Sequence, residues 1–486
     1  MAAHRRRPAR SPRRSGEAVS RPKVGVLHPG TQHSWQTALA LQEGGALGWY
    51  ATSIFYDPDK WPYRIERHLP QTLAEKANRT FRRRYEPALD PRLVRRLGPW
   101  GWIAAGTAAL IQGRAASWTV RQGNRDFGQR VVRLLEREPV DIVWAYDTAA
   151  LDVFRWAKRR GIYCVLDRTI AHSATANAAM TAEYVRHPEF FLVPFTPKSK
   201  RDLDEEQEEL ELADIVLTGS QFCAGTLIEN GSPATKVKVL PYGFDERLFS
   251  AARPLRPSPH SKPINFLFAG GVGARKGVPY LLKAFNEIPS DRATLTLAGQ
   301  LAMPRAKLEK FRTKVSYVSH LDRPHLTEYF NRADCFIFPS LLEGSALVLR
   351  EIYGAGLGAI HTRSAGEGVG DGRNGLVFEA PSVAGIVEAV ERTLADRDCL
   401  TRWQTESWAM RSRCTWRVYR AGVRGILDAV ATGDMAQPFL SVERSQVRGS
   451  WPEPMSRPVA RAPYPAPPHS LLPRFTGTAR IRGAPT

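Results

Sequence analysis

Short runs of apolar residues alternate along the chain with stretches of helical periodicity. Residues 24–27, 142–146 and 335–338 are dominated by apolar side chains, as expected of strands that are buried on both faces. Residues 121–136 and 151–160 space their apolar positions as amphipathic helices do. This alternation predicts an α/β protein with doubly wound parallel sheets, whose ligands bind at the carboxyl ends of the strands.

The same patterns predict the remaining elements. The predicted strands are 23–27, 52–55, 141–146, 163–166, 213–218, 237–240, 264–269, 294–298, 315–318, 335–338 and 359–361. The predicted helices are 35–43, 121–136, 151–160, 202–211, 279–288, 325–332, 346–353, 383–395 and 416–429. We interpret the acidic helix 202–211 as a solvated face.

Composition shifts divide the pattern into two domains. The Pro/Ser-rich stretch 251–263 has the composition of a linker. The chain ends are rich in Arg, Pro and Ser and are predicted to be disordered. The predicted organisation is a basic arm (1–22), an amino-terminal domain (23–250), a linker (251–263), a carboxyl-terminal domain (264–412), a final helix (413–432) and a Pro/Arg-rich tail (433–486).

The net charge of +21 is spread between the ends and the body of the chain. Residues 1–22 contribute +6 and residues 433–486 contribute +4, which leaves +11 for the body. A basic body suits anionic ligands such as a nucleotide diphosphate, or an anionic membrane surface. The sequence has no zinc-finger, basic-zipper or ribonucleoprotein motif, so we expect no specific nucleic-acid partner.

Neither a membrane span nor a disulfide framework is predicted. No apolar run reaches the roughly 18 residues that cross a bilayer, and the best candidate, 100–111, is short and contains Gly and Thr. The five cysteines are widely spaced and include no CxxC pair, which argues against disulfides and a structural zinc. We therefore expect a cytoplasmic protein, with a peripheral contact to the inner face of the membrane as an open alternative.

Two acidic residues follow the apolar run 335–338. Glu343 lies in a predicted loop and Glu351 on the helix after it. An acid in a loop that follows a parallel strand often contacts a ligand. The alternative interpretation is a pair of solvated acids on an amphipathic helix.

Two glycine-containing loops precede predicted helices. Residues 270–277 contain three glycines before Lys276-Gly277, and backbone amides in such a loop can approach phosphate while the lysine adds charge. The spacing fits neither a P-loop nor the dinucleotide GxGxxG pattern. Residues 28–34, with Gly30 and His33, form a similar loop after the first strand, although His33 also fits an ordinary loop residue.

A set of residues in the second half of the chain resembles the donor-sugar half of retaining glycosyltransferases with the GT-B fold, of the family-4 type. The set comprises Pro339-Ser340, Glu343-Gly344, Glu351, Gly356, Asp371-Gly372 and Asn374-Gly375-Leu376. Glu343 and Glu351 match the paired-glutamate signature of that family, although residues 350–353 replace its Ala-rich helix. The blocks 213–220 and 237–245 resemble the end of the family's amino domain.

The resemblance covers residues 23–430 and implies two Rossmann-like doubly wound domains that face each other across a cleft. The amino-terminal domain would then lie on the acceptor side, and the last helix would cross back onto it. The carboxyl-terminal domain would bind the nucleotide sugar.

Roles for individual residues also follow from the resemblance. Glu351 would accept hydrogen bonds from the ribose hydroxyls, and Glu343 would face the transferred sugar and its leaving diphosphate. Lys276 and the amides of residues 270–273 would contact the diphosphate. Arg275 would replace the arginine that the family carries at the position of Gly271. The implied donor-binding set is Gly30, Gly270, Gly271, Arg275, Lys276, Glu343, Gly344, Ser345 and Glu351.

Catalytic candidates are Glu343, Lys276 and His172. Residues 167–173 resemble an Asp-Arg-Gly-Ser-x-His stretch found in a subset of bacterial transferases, with Thr169 in place of the glycine. The resemblance implies that His172 reaches the donor sugar or the acceptor. Glu183 is a further candidate for acceptor contact. Because no Asp-x-Asp motif is placed to hold a divalent ion, we expect no metal and no cofactor.

The predicted function is transfer of a sugar from a nucleotide diphosphate sugar to an acceptor hydroxyl with retention of configuration. A glycan or lipid-linked acceptor in cell-surface glycan biosynthesis is expected by analogy. The alternatives are a sugar-nucleotide epimerase or a phosphorylase on the same fold, or a non-catalytic basic scaffold with a vestigial site. A phosphorylase would need a pyridoxal-phosphate lysine site, which the sequence does not reveal. The intact set of Glu343, Glu351 and Lys276 argues against a vestigial site.

Overall fold

The computed structural model describes residues 21–30, 32–57, 60, 63–68, 70, 84–98, 113–249, 261–319 and 321–433, except for the side chains of 65–67 and 113–117. All of these residues belong to one compact unit, Met1–Gln446. Predictions for residues 1–20, for the apolar stretch 100–111, for most of the linker 251–263 and for the tail after Gly433 fall outside the described residues.

The first sheet has seven parallel strands in the order β3-β2-β1-β4-β5-β6-β7. Its strands are β1 (Val24–Leu27), β2 (Leu47–Thr52), β3 (Val94–Arg96), β4 (Ile142–Tyr146), β5 (Tyr163–Arg168), β6 (Ile215–Thr218) and β7 (Val237–Val239). Its helices are α1 (Ser34–Glu43), α2 (Gly113–Arg137), α3 (Leu151–Lys158), α4 (Ser173–Arg186), α5 (Lys200–Leu212) and α6 (Gln221–Glu229). We refer to this part as the amino-terminal domain.

The second sheet has six parallel strands in the order β10-β9-β8-β11-β12-β13. Its strands are β8 (Ile264–Ala269), β9 (Ala293–Ala298), β10 (Val315–Val318), β11 (Cys335–Phe338), β12 (Gly358–Thr362) and β13 (Gly375–Phe378). Its helices are α7 (Val278–Glu287), α8 (Arg305–Glu309), α9 (Arg323–Arg332), α10 (Val348–Ala355), α11 (Val383–Ala395) and α12 (Asp398–Met410). We refer to this part as the carboxyl-terminal domain.

The prediction of doubly wound parallel sheets is therefore confirmed. In both sheets the central strands are buried on both faces, as β11 shows, where all four residues are inaccessible to solvent. Continuous apolar runs produce such strands because helices cover each face of the sheet. The strand order reverses beside β1 in the first sheet and beside β8 in the second, which are the positions where such folds bind ligands.

Some predicted elements were wrong or incomplete. The strand predicted at 52–55 is instead β2, Leu47–Thr52, which pairs with β1, and the apolar residues Ile54 and Phe55 are buried beyond its end. Helices α4, α8 and α12 and the edge strands β3 and β13 were not predicted. Helix α4 is rich in alanine and has little amphipathic contrast, so periodicity gives almost no signal for it.

The interpretation of the acidic helix as a solvated face was also wrong. Glu206 and Glu209 of α5 are both buried, at 5% exposure each. Glu209 accepts backbone N–H groups at the start of α3, from Ala150 and Leu151 at 3.1 Å, where a carboxylate complements the helix dipole. Burial raises the pKa of Glu209 to about 7.

The last helix, α13 (Trp416–Thr432), packs against α1 of the amino-terminal domain. The hydroxyls of Tyr419 and Thr37 lie 2.8 Å apart, and Arg424 Nη1 donates to Glu43 Oε2 at 2.7 Å. The end of the described chain is thus joined to its beginning.

All five cysteines are buried free thiols, which confirms that the chain has no disulfide framework. Across the described part of the chain, every helix is too short or too polar to cross a bilayer.

Candidate active site

Glu343 lies in the loop between β11 and α10, where its carboxylate gathers three donors. Glu343 Oε1 accepts Ser340 Oγ at 2.7 Å and Arg275 Nη1 at 2.8 Å, and it forms an ion pair with Lys276 Nζ. Arg275 Nη1 also donates to the carbonyl of Leu342 at 2.9 Å. The structure therefore brings the predicted residues Glu343, Lys276 and Arg275 into one cluster.

Burial and the neighbouring charges shift the pKa of Glu343 in opposite directions, and they do the same for Lys276 where Glu343 is the neighbour. Burial alone would raise the pKa of Glu343, but Lys276 and Arg275 outweigh it and hold that pKa below its usual value. Burial lowers the pKa of Lys276, and the charge of Arg275 adds to this effect while Glu343 opposes it. Opposite charges at contact distance favour the ionised forms, so the cluster holds a carboxylate with two cations.

The glycine loop after β8 offers fewer free amides than its sequence indicates. Gly270 N donates to Ala298 O at 2.9 Å, and Val272 N donates to Gln300 O at 2.8 Å. These two amides therefore extend the sheet, and the prediction that the whole run 270–273 contacts phosphate is corrected. Gly271 and Gly273 are the amides of this run for which no partner occurs among the described residues.

Lys276 is placed by the turn that starts α7. Gly277 adopts φ +70°, and a Cβ at this position would overlap the carbonyl oxygen of Pro339. Only glycine allows the chain to pass so close to the end of β11 in this conformation. The approach holds Lys276 beside the loop that carries Glu343, with its Nζ 4.9 Å from the ring centre of Phe338.

Glu351 belongs to α10 and is separate from this cluster. Its Oε1 accepts Arg323 Nη1, from the first turn of α9, at 2.7 Å. Burial raises the pKa of Glu351, and Arg323 partly offsets that rise. Glu343 lies outside α10, so one helix does not carry both glutamates.

Gly344 and Ser345 lie where the two domains touch. Ser220 Oγ, at the start of α6, donates to the carbonyl oxygen of Gly344. A Cβ on Gly344 would overlap the carbonyl oxygen of Thr169 in the loop after β5. Ser345 Oγ is buried and has no hydrogen-bond partner within the described residues. The predicted donor loop is therefore in direct contact with the amino-terminal domain.

Substitution Gly344→Ala should reduce turnover without unfolding the protein. The added methyl must push the carbonyl of Thr169 away, and an error of about 1 Å in such a contact can cost on the order of 10²-fold in rate. We expect a loss of about tenfold in kcat, measured with a substrate found by nucleotide screening. Gly225→Ala is the matched control, because Gly225 lies on α6 with open space around it. Equal turnover in both variants would contradict the functional importance of this contact.

His172 caps α4 and lies within the amino-terminal domain. Its Nδ1 accepts Ala174 N at 3.2 Å, and its Nε2 lies 3.6 Å from Glu206 Oε1. Burial lowers the pKa of His172, although Glu206 works in the opposite direction. No contact among the described residues joins His172 to Glu343 or Lys276, so the structure does not place these predicted residues in one cluster.

Gly30 and His33 occupy the loop between β1 and α1. Gly30 is exposed, and its carbonyl accepts Thr52 Oγ1 at 3.0 Å. His33 is buried, with its Nε2 3.3 Å from Asp167 Oδ2 and its ring 4.1 Å from that of Tyr242. His33 is therefore held by contacts with buried neighbours, and Gly30 remains a separate candidate.

Three residues that contact the candidate site were not among the predicted site residues, although Ser340 and Ser220 belong to the blocks that resemble the family. Ser340 donates to Glu343, Arg323 pairs with Glu351, and Ser220 binds the carbonyl of Gly344. Their positions offered a signal, since each follows a strand end or opens a helix. Nothing local indicated which partner each one would meet.

The described residues contain no group of three or more His, Cys, Asp or Glu side chains that could hold a metal ion.

Comparison with known proteins places this geometry in a family. The family described as Glycosyl transferases group 1 matches residues 263–396, which include Arg275, Lys276, Glu343 and Glu351. The carboxyl-terminal domain is thus similar to group 1 glycosyltransferases over these residues. The resemblance inferred from the glutamate pair and the lysine-glycine loop is thereby confirmed for this domain.

One relative is the glycogen synthase of Mycobacterium tuberculosis, which is 28% identical over 239 residues. The match covers 44% of this chain and 55% of that protein, so the chain spans about half the length of this relative.

Solved structures show that the fold extends beyond the group 1 domain. Sucrose-phosphate synthase from Thermosynechococcus elongatus is similar with a TM-score of 0.61 and 16% identity, over 85% of this chain and 100% of that one. Anabaena Alr3699/HepE in complex with UDP-glucose is similar with a TM-score of 0.54 and 14% identity, over 84% of this chain and 100% of that one. The fold is GT-B, with the group 1 domain as its carboxyl-terminal half.

Proposed function

We propose that this protein transfers a sugar from a nucleotide diphosphate sugar to an acceptor hydroxyl, with retention of configuration. The observation that carries the proposal is the ionised cluster of Glu343 with Lys276 and Arg275, built beside the glycine loop of a group 1 domain. A protein of the same fold has been solved with UDP-glucose, which supports a nucleotide-sugar donor.

The chemistry requires positive charge at the leaving group. As the bond between the sugar carbon and the phosphate oxygen breaks, negative charge grows on the diphosphate and positive charge on the sugar. Lys276 and Arg275 would stabilise the diphosphate electrostatically, together with the amides of Gly271 and Gly273. Glu343 would orient the two cations, because its carboxylate contacts both.

Retention follows if the acceptor approaches from the side of the leaving group. The acceptor oxygen bonds to the sugar carbon, and its proton passes to the departing phosphate oxygen. This path needs no covalent intermediate on the protein. His172, held neutral by burial, is proposed to contact the donor sugar or the acceptor as a hydrogen-bonding group and not as a charge.

Glu351 is proposed to bind the ribose of the donor. Its carboxylate is buried, and the cation that it contacts, Arg323, is itself more than half exposed. Ribose hydroxyls would donate to this carboxylate as Arg323 does in the structure.

The proposal includes catalysis without a metal or cofactor. The cations of the protein would then replace a divalent ion at the diphosphate. Addition of EDTA is expected to leave turnover unchanged, and a loss that Mg²⁺ or Mn²⁺ restores would overturn this part of the proposal.

The acceptor is proposed to be a growing glycan or a lipid-linked sugar of the cell surface. A cytoplasmic enzyme with a basic body could approach anionic acceptors or the inner face of the membrane. Transfer to such acceptors, measured with membrane extracts and a labelled donor, tests this assignment.

The deciding experiment measures nucleotide binding by thermal shift and calorimetry, with wild type and Glu351→Ala. A ligand that binds only the native state raises the melting temperature in proportion to the logarithm of its concentration over its dissociation constant. We expect one nucleoside diphosphate to bind wild type, with affinity about tenfold weaker in Glu351→Ala, the size of one hydrogen bond to a charged group.

Two controls make the result specific. Glu328→Ala, an exposed glutamate of α9, should leave the affinity unchanged. Inorganic pyrophosphate should bind wild type and Glu351→Ala equally, because it lacks the ribose. Absence of binding by any nucleoside diphosphate would overturn the proposed function.

A further inference from the structure

Helix α4 of the amino-terminal domain meets α7 of the carboxyl-terminal domain through a polar contact. Tyr280 Oη donates to Glu183 Oε2 at 2.7 Å, and Arg186 Nη1 donates to Tyr280 Oη at 3.0 Å. The hydroxyl of Tyr280, in the carboxyl-terminal domain, is therefore hydrogen-bonded to Glu183 and Arg186 of the amino-terminal domain. The expectation that Glu183 contacts an acceptor was wrong, since its side chain is fully buried in this contact.

A second row of the same contact lies one turn further along both elements. Lys283 Nζ lies 3.2 Å from His187 Nδ1, and the rings of His187 and Tyr280 meet edge to face with centres 5.3 Å apart. Both rows join the end of α4 to the first half of α7, so the two helices have a defined register.

The contact contains a buried carboxyl that depends on its partner. Glu183 Oε1 has no hydrogen-bond partner among the described residues, while Glu183 Oε2 accepts the hydroxyl of Tyr280 and lies 3.8 Å from Arg186 Nη1. Burial of a carboxylate with one unsatisfied oxygen is costly. Any movement that separates α7 from α4 would expose Glu183 to water and remove that cost, so the hydroxyl of Tyr280 favours the closed arrangement, in addition to contacts such as that of Ser220 with Gly344.

The contact is placed to act on Lys276. Tyr280 lies four residues after Lys276, with Gly277 between them fixed against Pro339. A rigid start of α7 transmits the position of Tyr280 to Lys276. The other end of α4 is capped by His172, a predicted catalytic residue, so this helix connects His172 to the contact between Glu183 and Tyr280.

We propose that Glu183 and Tyr280 are positioning residues that couple closure of the two domains to the placement of Lys276 beside Glu343. This inference rests on the proposed function, because it assigns the contact a role in transfer. It also makes a claim about the ligand-free protein, namely that the hydroxyl of Tyr280 holds the domains together.

The test compares Tyr280→Phe with Glu183→Gln and with the control Tyr329→Phe, a half-buried tyrosine of α9 that packs against the hydrophobic core of the carboxyl-terminal domain. Solution scattering of the ligand-free proteins reports closure, calorimetry reports nucleoside diphosphate affinity, and a coupled assay reports kcat. Tyr280→Phe should show a larger radius of gyration and about tenfold lower kcat, the size of one hydrogen bond to a charged group, with nucleotide affinity within about twofold of wild type.

Glu183→Gln should retain closure and most of kcat, because its amide oxygen still accepts the hydroxyl of Tyr280. Its pH dependence should differ from wild type. Burial raises the pKa of Glu183, although Tyr280, Arg186 and Lys283 lower it and Glu189 opposes them. The groups that face Glu183 are Tyr280, Arg186, Lys283, His187 and Glu189. Because the raised pKa means that the neutral acid is less costly to bury than the carboxylate, closure of the wild-type protein should weaken as pH rises through that pKa. Closure of Glu183→Gln should not change over the same pH range.

Two outcomes would overturn the inference. The first is scattering and kcat in Tyr280→Phe equal to those of Tyr329→Phe. The second is a parallel fall of nucleotide affinity, melting temperature and kcat, which would indicate a merely structural role. If wild type binds no nucleoside diphosphate, the proposed function fails separately, and the scattering of the ligand-free proteins still decides whether Tyr280 holds the domains closed.

Discussion

Substitution Lys276→Ala is expected to lower kcat by a factor on the order of 10² or more, the loss that follows removal of one group that stabilises a developing negative charge. Lys276 is largely buried and forms an ion pair with Glu343, so its charge is little screened by water. Arg275 remains, but its side chain is 41% exposed and its charge is better screened by water. The measurement is turnover of the donor identified by the nucleotide screen, with Lys310→Ala, an exposed lysine after α8, as the control.

The same residue predicts an alkaline limit to activity. Burial lowers the pKa of Lys276, so its ammonium should lose its proton at a lower pH than an ordinary lysine. Turnover in wild type should therefore fall as pH rises through that lowered pKa. Lys276→Arg should move this fall to higher pH, because guanidinium stays charged. Wild-type turnover in Lys276→Ala, or identical alkaline limits in wild type and Lys276→Arg, would contradict the role of Lys276.

Substitution Glu206→Gln is expected to reduce the free energy of unfolding by about 3 kcal/mol, because it leaves a buried arginine without its closest counter-charge. Arg168 is buried, and its Nη2 lies 2.8 Å from Glu206 Oε1. A second carboxylate near Arg168 is that of Asp147, at 3.6 Å, and Glu209 also acts on its charge. Glu206 also accepts Ser173 N at 2.9 Å, so the substitution affects the start of α4 as well.

Denaturant unfolding with a matched control on the same helix measures this effect. Glu208 pairs with Arg155 at the surface, so Glu208→Gln should cost less than about 1 kcal/mol. Although burial opposes it, Arg168 holds the pKa of Glu206 below its usual value. The stabilisation is therefore present above the ordinary glutamate pKa and is lost as pH falls through the lowered one. The difference between wild type and Glu206→Gln should be largest near pH 7 and shrink in acid, and equal losses in both variants would contradict the assignment.

The Glu206→Gln substitution is also expected to affect the candidate site. Arg168 donates through Nε to Ile170 O at 3.0 Å and through Nη2 to Ala171 O at 3.2 Å, so it shapes the loop that carries Thr169 and His172. Thr169 is the residue that abuts Gly344. We expect Glu206→Gln to lower turnover even at temperatures where the variant remains folded.

Much of the fold was predictable from the chain alone. Runs such as 335–338 are apolar at every position, which is typical of strands covered on both sides, and the helices between them follow from spacing. The strand at 315–318 and the helix at 383–395 were predicted with the bounds that the structure has. Elements with weak periodicity failed, as α4 did, because their burial comes from neighbours that are distant in sequence.

The candidate site was predictable in part. The glycine loop, Lys276 and the pair of Glu343 and Glu351 could be named because each follows a strand end in a pattern that a known family shares. The cluster that joins Glu343 to Arg275 and Lys276 forms between residues 67 and 68 positions apart, which no local pattern reveals.

By itself, the sequence determined the alternation of strands and helices, the two-sheet fold, and the residues that can carry phosphate and sugar chemistry, because periodicity and residue type are local properties. Only the tertiary structure decided which charged groups are buried and with what partners. In the folded protein, Glu206 of the acidic helix is the counter-charge of Arg168, and Glu183 accepts a hydrogen bond from Tyr280 of the other domain. The physical reason is that the cost of a buried charge depends on the partner that folding brings to it, and that partner lies far away along the chain.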